Sequence, residues 1–283
     1  TLKEFKLTEI YSYSFISEKT KQIFNLKNLL EVENPVSSEY QYLRPSLLPN
    51  LIETVRKNQS YFENIAIFEL GKIFKNGQKI EEKKVLSAAF TGDRFFEVKG
   101  IVEGLFHKMG ISSIWFDDYQ PSPEENLSSL WEIGKSAEIK INGEKIGFLG
   151  EIASEIIDKL KLKTKIIAFE LDFEKIVKLA SEEILYQPVS PYPAVIRDLS
   201  LLVPLEVKVE EVMNEIENSA GETLIDIDLF DIYEGENLPE GEKSLTFRLV
   251  FQAKDRALTS EEVNKTMKKV INVLEEKGWE VRK

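Results

Sequence analysis

The sequence contains no cysteine, so it can form neither a disulfide bond nor a thiolate metal site. It has one histidine, His107, with no motif around it, so neither a Ser-His-Asp nor a Cys-His arrangement can be built. No apolar run approaches the ~20 residues that a membrane-spanning helix needs, and the N-terminus lacks the apolar core of a signal peptide. We expect a cytoplasmic protein that has no contact with a membrane.

The length and the charge of the chain define its broad class. At 283 residues the chain is long enough for two domains, and 42% hydrophobic with 30% charged residues is typical of a globular protein. The net charge is −12, and residues 190–283 alone hold 12 basic and 20 acidic side chains. Such a balance argues against a surface that coats nucleic acid, so that any contact with RNA must be local.

The first half of the sequence predicts helices that alternate with antiparallel hairpins. Alternating apolar and polar residues predict strands, and apolar residues at helical spacing predict helices. Asn76-Gly77 and Asn142-Gly143 are hairpin turn signals. The predicted strands are 9–17, 66–74, 84–91, 136–141, 145–151 and 165–171, and the predicted helices are 18–24, a segment from Ser46, 95–109, 153–160 and 173–180. In helix 95–109 the apolar side is predicted to comprise Phe96, Ile101, Leu105 and Phe106. This is an α+β pattern.

The second half predicts a βαββαβ order, which is the ferredoxin-like fold with both helices on one face of the sheet. The strands are predicted at 197–203, 224–233, 244–252 and 279–282, and the helices at 207–219 and from an N-cap at Thr259 to 276. Prolines at 188, 191 and 193 mark the boundary between the two halves. The predicted domains are residues 1–185 and 190–283.

The alternation of side chains along these strands assigns each residue to a face of the sheet. The helix-facing set is predicted to be Leu199, Leu201, Val203, Ile225, Ile227, Leu229, Leu245, Phe247, Leu249 and Phe251. The open-face set is predicted to be Asp198, Ser200, Leu202, Asp226, Asp228, Phe230, Ser244, Thr246, Arg248, Val250 and Gln252. An exposed aromatic ring beside an arginine is the arrangement on which bases of single-stranded RNA stack.

We therefore predict an RNA-binding site on the open face. Its members are Asp198, Ser200, Phe230, Tyr233 and Arg248, with Lys243, Arg256 and Arg282 as phosphate contacts. A purely structural interpretation stays open, in which Phe230 packs on the neighbouring domain. In that case Asp198 and Arg248 form a surface ion pair worth under ~1 kcal/mol.

The remaining glycines, the histidine and the paired acidic residues that could belong to a functional site are expected to have structural roles. Gly143, Gly147 and Gly150 are expected to be turn and packing glycines rather than a phosphate loop. His107 has Glu103 one turn before it, but without a second histidine or cysteine it is expected to be a surface residue. The pairs Asp117-Asp118 and Glu124-Glu125 are expected to be solvated. We predict neither a catalytic residue nor a metal site in this chain.

Several sequence blocks resemble the β subunit of bacterial phenylalanyl-tRNA synthetase. In the second half they are 192–203 (Tyr-Pro-Ala-Val-Ile-Arg-Asp-Leu-Ser-Leu-Leu-Val), 229–235, 241–252 and 255–259. In the first half they are 43–51 (Leu-Arg-Pro-Ser-Leu-Leu-Pro-Asn-Leu) and 66–74. The first half is thereby similar to a degenerate class II synthetase catalytic domain, since the Gly-x-Gly-x-Gly-x-x-Arg pattern of an ATP site is absent. It departs from the family at 131–137, where His-Pro-Gly is usual.

The resemblance implies a function for both halves. The second half would be the anticodon-binding domain for the stem-loop of tRNA-Phe, and the first half would pack against the catalytic α subunit in an α2β2 heterotetramer. The whole enzyme would use ATP and Mg²⁺, with the chemistry on the α subunit and no cofactor in this chain. Because the chain opens at Thr1 without Met, we expect a fragment of a longer subunit. Two alternatives stay open, an amino-acid-sensing regulatory domain of ferredoxin-like fold and a purely structural interaction module.

Overall fold

The structure is a computed structural model that describes residues 1–77, 79–111, 114–119, 127–180, 190–235 and 238–282. Contacts within the chain divide it into two compact units, Thr1–Leu185 and Tyr186–Lys283. Each unit contains a β-sheet with its own buried apolar residues. Within the described residues, no helix is both long enough and apolar enough to cross a membrane.

The first unit is built around a seven-stranded sheet and a small two-stranded sheet. In chain order its strands are β1 (Thr8–Glu9), β2 (Phe15–Ile16), β3 (Tyr42–Leu43), β4 (Ala66–Asn76), β5 (Ile80–Thr91), β6 (Ile114–Asp118), β7 (Trp131–Ile141), β8 (Glu144–Ile152) and β9 (Ile166–Asp172). The large sheet has the order β1-β4-β5-β9-β8-β7-β6, and β2 pairs with β3. Only the β1–β4 pair is parallel among these strands, so the antiparallel sheet expected from the sequence is present.

Five helices belong to the first unit. They are α1 (Glu18–Ile23), α2 (Leu48–Asn58), α3 (Phe95–Lys108), α4 (Ser154–Lys159) and α5 (Phe173–Leu179). The side chains of α2 and α3 belong to two different apolar clusters. The predicted Asn142-Gly143 turn is also present, because both residues adopt positive φ between β7 and β8.

Two expectations for the first unit were wrong. Residues 9–17 do not form one strand, because β1 joins the large sheet and β2 the small one, and the Ser12 hydroxyl between them is bonded to the buried carboxylate of Glu69. In α3, Phe96 is 85% exposed, whereas Val98 and Val102 are buried. The buried stripe therefore runs through positions 98, 101, 102, 105 and 106, which is the i, i+3, i+4 spacing of one helix face.

The second unit has the βαββαβ order that the sequence predicts. Its strands are β10 (Val195–Pro204), β11 (Leu224–Tyr233), β12 (Glu242–Phe251) and β13 (Glu280–Arg282), and its helices are α6 (Val209–Ala220) and α7 (Ser260–Glu276), with a 3₁₀ turn at Gly221–Thr223. The antiparallel sheet has the order β11-β12-β10-β13. The two crossovers through α6 and α7 place the first and third strands at the centre, as in a ferredoxin-like fold.

The core of this unit confirms most of the helix-facing set. Leu245, Phe247, Leu249 and Phe251 of β12 are fully buried, and β10 contributes three further buried residues, Leu199, Leu201 and Val203. These side chains pack with the inner faces of both helices, for example Ile216 of α6. The strict alternation in β12 is what fixes which face of the sheet stays open.

The assignment of Ile225 to the helix face was wrong. Ile225 is 51% exposed because the register of β11 against β12 shifts between Leu224 and Asp226. A second shift lies between Leu229 and Asp231, so Phe230 is also an inserted residue. Two residues of a bulged strand then face one residue of its partner, and simple alternation fails at those positions.

Candidate nucleic-acid interface

Four rows of paired residues cross the open face of the second sheet from β10 through β12 to β11. The register of β10, β12 and β11 sets each row in order across the sheet, with Arg282 and Glu280 of β13 extending two of them. The rows are Ile196–Val250–Asp226, Asp198–Arg248–Asp228, Arg282–Ser200–Thr246–Asp231 and Glu280–Leu202–Ser244–Tyr233. The predicted members Asp198, Ser200, Arg248 and Tyr233 thus share one face.

Arg248 is the centre of this face. Its Nε donates to Oδ1 of Asp198 at 3.1 Å and its Nη2 to Oδ2 of the same carboxylate at 3.4 Å. Its guanidinium carbon lies 4.6 Å from the centre of the Phe230 ring, which is cation–π distance. The hydrogen bonds from Arg248 to Asp198 raise the pKa of the guanidinium, and the negative charges of Asp198 and Asp228 add to the rise.

The structure contains both an ion pair between Asp198 and Arg248 and an exposed ring at Phe230. The ion pair exists, with side chains about half exposed, 41% for Arg248 and 52% for Asp198. Phe230 is 60% exposed, so one of its faces is available to a ligand while the other carries the guanidinium. An exposed ring stacked on an arginine is a platform on which a base can add a third layer.

The two rows beyond Arg248 are less open. The hydroxyls of Ser200 and Thr246 bond each other at 2.9 Å. Leu202 and Ser244 lie on the open face by register but are buried, at 7% exposure each, whereas Tyr233 at the edge is 43% exposed. The accessible part of the face therefore extends along β11, from Asp226 to Tyr233.

The three predicted phosphate contacts do not lie together. Lys243 is paired with Val203, a helix-facing residue, and its ammonium group donates to the carbonyl oxygen of Leu205 at 2.8 Å. Arg256 follows the opposite end of β12 and is bonded to Glu262, which raises the pKa of its guanidinium. Only Arg282 reaches the open face, in the row of Ser200.

The open face carries more negative than positive charge. Two arginines, Arg248 and Arg282, stand against the carboxylates of Asp198, Asp226, Asp228, Asp231 and Glu280 in the four rows. Simple alternation placed Asp226 and Asp228 here. Alternation did not predict Asp231 on this face. The bulge at Phe230 places Asp231 there, in register with Thr246 of β12. Carboxylates accept hydrogen bonds from base edges and repel phosphates.

The remaining candidates of the first unit have structural surroundings. His107 is exposed on α3, and Glu103 pairs with Lys99, which confirms the surface interpretation. A Cβ at Gly147 would lie 2.2 Å from the Glu170 carbonyl oxygen, and one at Gly150 would lie 2.6 Å from Ser136, so these are packing glycines. Asp117 pairs with Lys140, and Glu124-Glu125 lie outside the described residues. The described part of the chain contains no cluster of potential metal ligands.

Comparison with solved structures defines the class of fold. Pyrrolysyl-tRNA synthetase of Desulfitobacterium hafniense superimposes with a TM-score of 0.51 at 13% identity, over 62% of this chain and 64% of that one. A second structure of that synthetase gives 0.52 at 14% identity, over 65% and 68% of the two chains. At such low identity the likeness concerns the fold alone, which this chain shares with those two structures.

Comparison with family models and curated relatives then identifies the family. Residues 1–173 match the phenylalanyl-tRNA synthetase beta chain CLM domain, and residues 190–282 match the ferredoxin-fold anticodon-binding domain. The phenylalanine–tRNA ligase beta subunit of Bacillus cereus is 35% identical over 98% of this chain, and that of Clostridium tetani is 32% identical over 98%. The chain belongs to the phenylalanyl-tRNA synthetase β-chain family, whose members are subunits of a ligase. It spans 36% of the length of these two relatives.

Proposed function

We propose that this chain is the C-terminal part of a phenylalanine–tRNA ligase β subunit and that its second unit binds the anticodon stem-loop of tRNA-Phe. The observation that carries the proposal is the exposed Phe230 ring stacked on Arg248 in a domain that matches anticodon-binding domains. A splayed base of an RNA loop can stack on the free face of Phe230, and the carboxylates along β11 can accept hydrogen bonds from base edges.

We further propose that the first unit is a non-catalytic, class II synthetase-like domain that packs against the catalytic α subunit of an α2β2 heterotetramer. Family membership supports this role. The large exposed aromatic side chains of the unit, among them Tyr11 at 93% and Tyr13 at 71% exposure, are typical of surfaces that meet a partner. ATP and Mg²⁺ would then be used by the α subunit, and this chain would support aminoacylation by holding the tRNA.

The first experiment measures binding of a tRNA-Phe anticodon stem-loop to the 283-residue chain, at low and at moderate salt. Phe230→Ala and Arg248→Ala are each expected to weaken binding by ~1–3 kcal/mol, the usual value of a stacked base or a specific arginine contact. The matched controls are Phe96→Ala, another exposed aromatic, and Arg197→Ala, whose register partner Leu249 faces the helices. Equal binding by all five proteins would contradict the proposed face.

A second experiment tests the division of labour between subunits. The purified chain without an α subunit is expected to show no aminoacylation of tRNA-Phe in the presence of phenylalanine, ATP and Mg²⁺. Co-expression with an α subunit is expected to give a complex that co-elutes in size-exclusion chromatography. Detectable ligase activity of the chain alone would contradict the non-catalytic role.

One observation favours a second candidate function. The excess of carboxylates on the open face suits a purely structural interaction module, since such a face repels an RNA backbone. This alternative expects binding to the α subunit and no binding of the stem-loop even at low salt, which distinguishes it from anticodon recognition.

A further inference from the structure

The central arginine of the open face is held in place from two sides. Asp198 on β10 binds it through both oxygens, and Asp228 stands opposite on β11 in the same row. The guanidinium carbon lies over the Phe230 ring, 4.6 Å from its centre. The pair with Asp198 occupies two of the five N–H groups of the guanidinium, and the negative charges of Asp198 and Asp228 beside the other three disfavour an approaching phosphate.

This arrangement separates two tasks that arginine can perform in RNA binding. A phosphate contact requires the N–H groups at the edge of the guanidinium, and it attracts any RNA regardless of sequence. A stacking contact requires only the flat face, and it depends on a base that can leave its own stack. With Asp198 at its edge, Arg248 supports the Phe230 ring on which a base can stack and is less available to a phosphate.

We propose that Asp198 is a specificity-determining positioning residue, which keeps Arg248 stacked on Phe230 and prevents it from binding the phosphates of non-cognate RNA. The role deepens the proposed anticodon function and rests on it. The surrounding carboxylates Asp226, Asp228 and Asp231 act in the same direction, because a phosphate that approaches Arg248 must pass close to them. A face of this kind rejects a wrong RNA by repulsion as well as selecting the right one by contact.

The test compares Asp198→Asn with Asp226→Asn in the 283-residue chain. Both variants remove one negative charge from the same face, but Asp226 is paired in register with Val250 and not with Arg248. The probes are a single-stranded oligouridylate, the tRNA-Phe anticodon stem-loop and a stem-loop with a scrambled loop. Binding of each is measured as a function of salt concentration.

Release of Arg248 has a specific signature. Asp198→Asn is expected to tighten oligouridylate binding about two- to fivefold more than Asp226→Asn does, which is the factor expected from a surface ion pair. It is also expected to steepen the slope of log affinity against log salt by ~0.7, the value of one additional phosphate contact on a single strand. The preference for the anticodon stem-loop over the scrambled one is expected to fall.

The double variant Asp198→Asn/Arg248→Ala separates release of the arginine from the change in charge. If Arg248 makes the new contact, the gain for oligouridylate disappears in the double variant. Equal gains in Asp198→Asn and Asp226→Asn, or a gain that persists without Arg248, would overturn the proposal. Asp198→Ser provides a second way to release the arginine if Asp198→Asn does not fold.

Failure of the proposed function is visible in a different arm. If the wild-type chain binds the cognate and the scrambled stem-loops equally, anticodon recognition by this face is wrong. The oligouridylate arm does not depend on recognition of a loop, and it still decides whether Asp198 restrains Arg248.

Discussion

Arg44 and Glu69 form a buried ion pair in the first unit. Arg44 is 3% and Glu69 0% exposed by side chain, and Nη1 of Arg44 lies 2.9 Å from Oε1 of Glu69. Ser12 donates to the other carboxylate oxygen, and Nε of Arg44 donates to the carbonyl oxygen of Lys72 at 3.0 Å. This network joins the segment between β1 and β2 to β4.

We expect Glu69→Ala to destabilise the first unit by ~3–5 kcal/mol, because Arg44 would remain buried without a compensating charge. Urea unfolding measures the loss. Glu82→Ala is the matched control, since Glu82 pairs with Lys72 on the surface at 2.7 Å and its loss should cost at most ~1 kcal/mol. Similar costs for both variants would contradict the buried character of the Arg44–Glu69 pair.

Glu170 gives a second prediction at the residue scale, through pH. Its Oε2 accepts hydrogen bonds from Ser46, Ser87 and the amide of Leu47, yet burial outweighs these bonds and raises the pKa of the carboxyl above 4.5. A raised pKa in the folded state means that the neutral form is favoured, so its contribution is complete below pH 4.5 and is lost as pH rises through the folded pKa.

The free energy of unfolding of the wild type relative to Glu170→Gln should therefore fall as pH rises, with a slope of up to ~1.4 kcal/mol per pH unit. Urea titrations at a series of pH values, starting below 4.5, provide the measurement. A difference that increases with pH would show instead that the three hydrogen bonds dominate and lower the pKa.

At the scale of elements, α7 has a complete N-terminal cap at Thr259, the residue that the sequence predicts as its N-cap. The Thr259 hydroxyl accepts from the Glu262 amide, and the Glu262 carboxylate accepts from the Thr259 amide. The hydrogen bond from Arg256, followed by those from Thr259, lowers the pKa of Glu262 to about 2. The stabilisation by ionised Glu262 is thus present above its ordinary pKa of 4.5 and is lost as pH falls towards about 2.

Thr259→Ala removes this cap, and we expect it to cost ~1 kcal/mol of unfolding free energy near neutral pH. Amide exchange in the first turn of α7 should accelerate, since those amides lose their acceptor. Thr266→Ala, in the middle of the same helix, should be neutral or slightly stabilising because alanine has the higher helix propensity. An equal loss in both variants would indicate that the cap contributes nothing.

At the scale of the whole molecule, the three apolar clusters each belong to one of the two units. Phe247 is fully buried in the second unit and Phe169 in the first. We expect Phe247→Ala to cost ~3–5 kcal/mol and to accelerate amide exchange in β10–β13 while β4, β5 and β9 keep their protection. Phe169→Ala is the reciprocal control. Acceleration in both sheets by either variant would show that the two units unfold together.

Much of the fold could be predicted from local patterns. The alternation in β12, the Asn142-Gly143 turn and the cap at Thr259 all lie within a few residues of the structure that they specify. The family was predicted from the blocks at 43–51, at 66–74 and between 192 and 259, which resemble the phenylalanyl-tRNA synthetase β subunit. The short strand β6 was not predicted, because its five residues form a strand by pairing with β7, and that pairing is not visible in the local sequence.

The sequence by itself determined the βαββαβ order, the helix-facing residues of β10 and β12, and hence the presence of Asp198, Ser200 and Arg248 on one open face. Only the tertiary structure decided how β11 meets that face, because a bulge arises from the register between two strands. It also showed that Lys243 and Arg256 have partners elsewhere. Pairing of charges depends on distances between segments remote in the chain, and local patterns carry no such information.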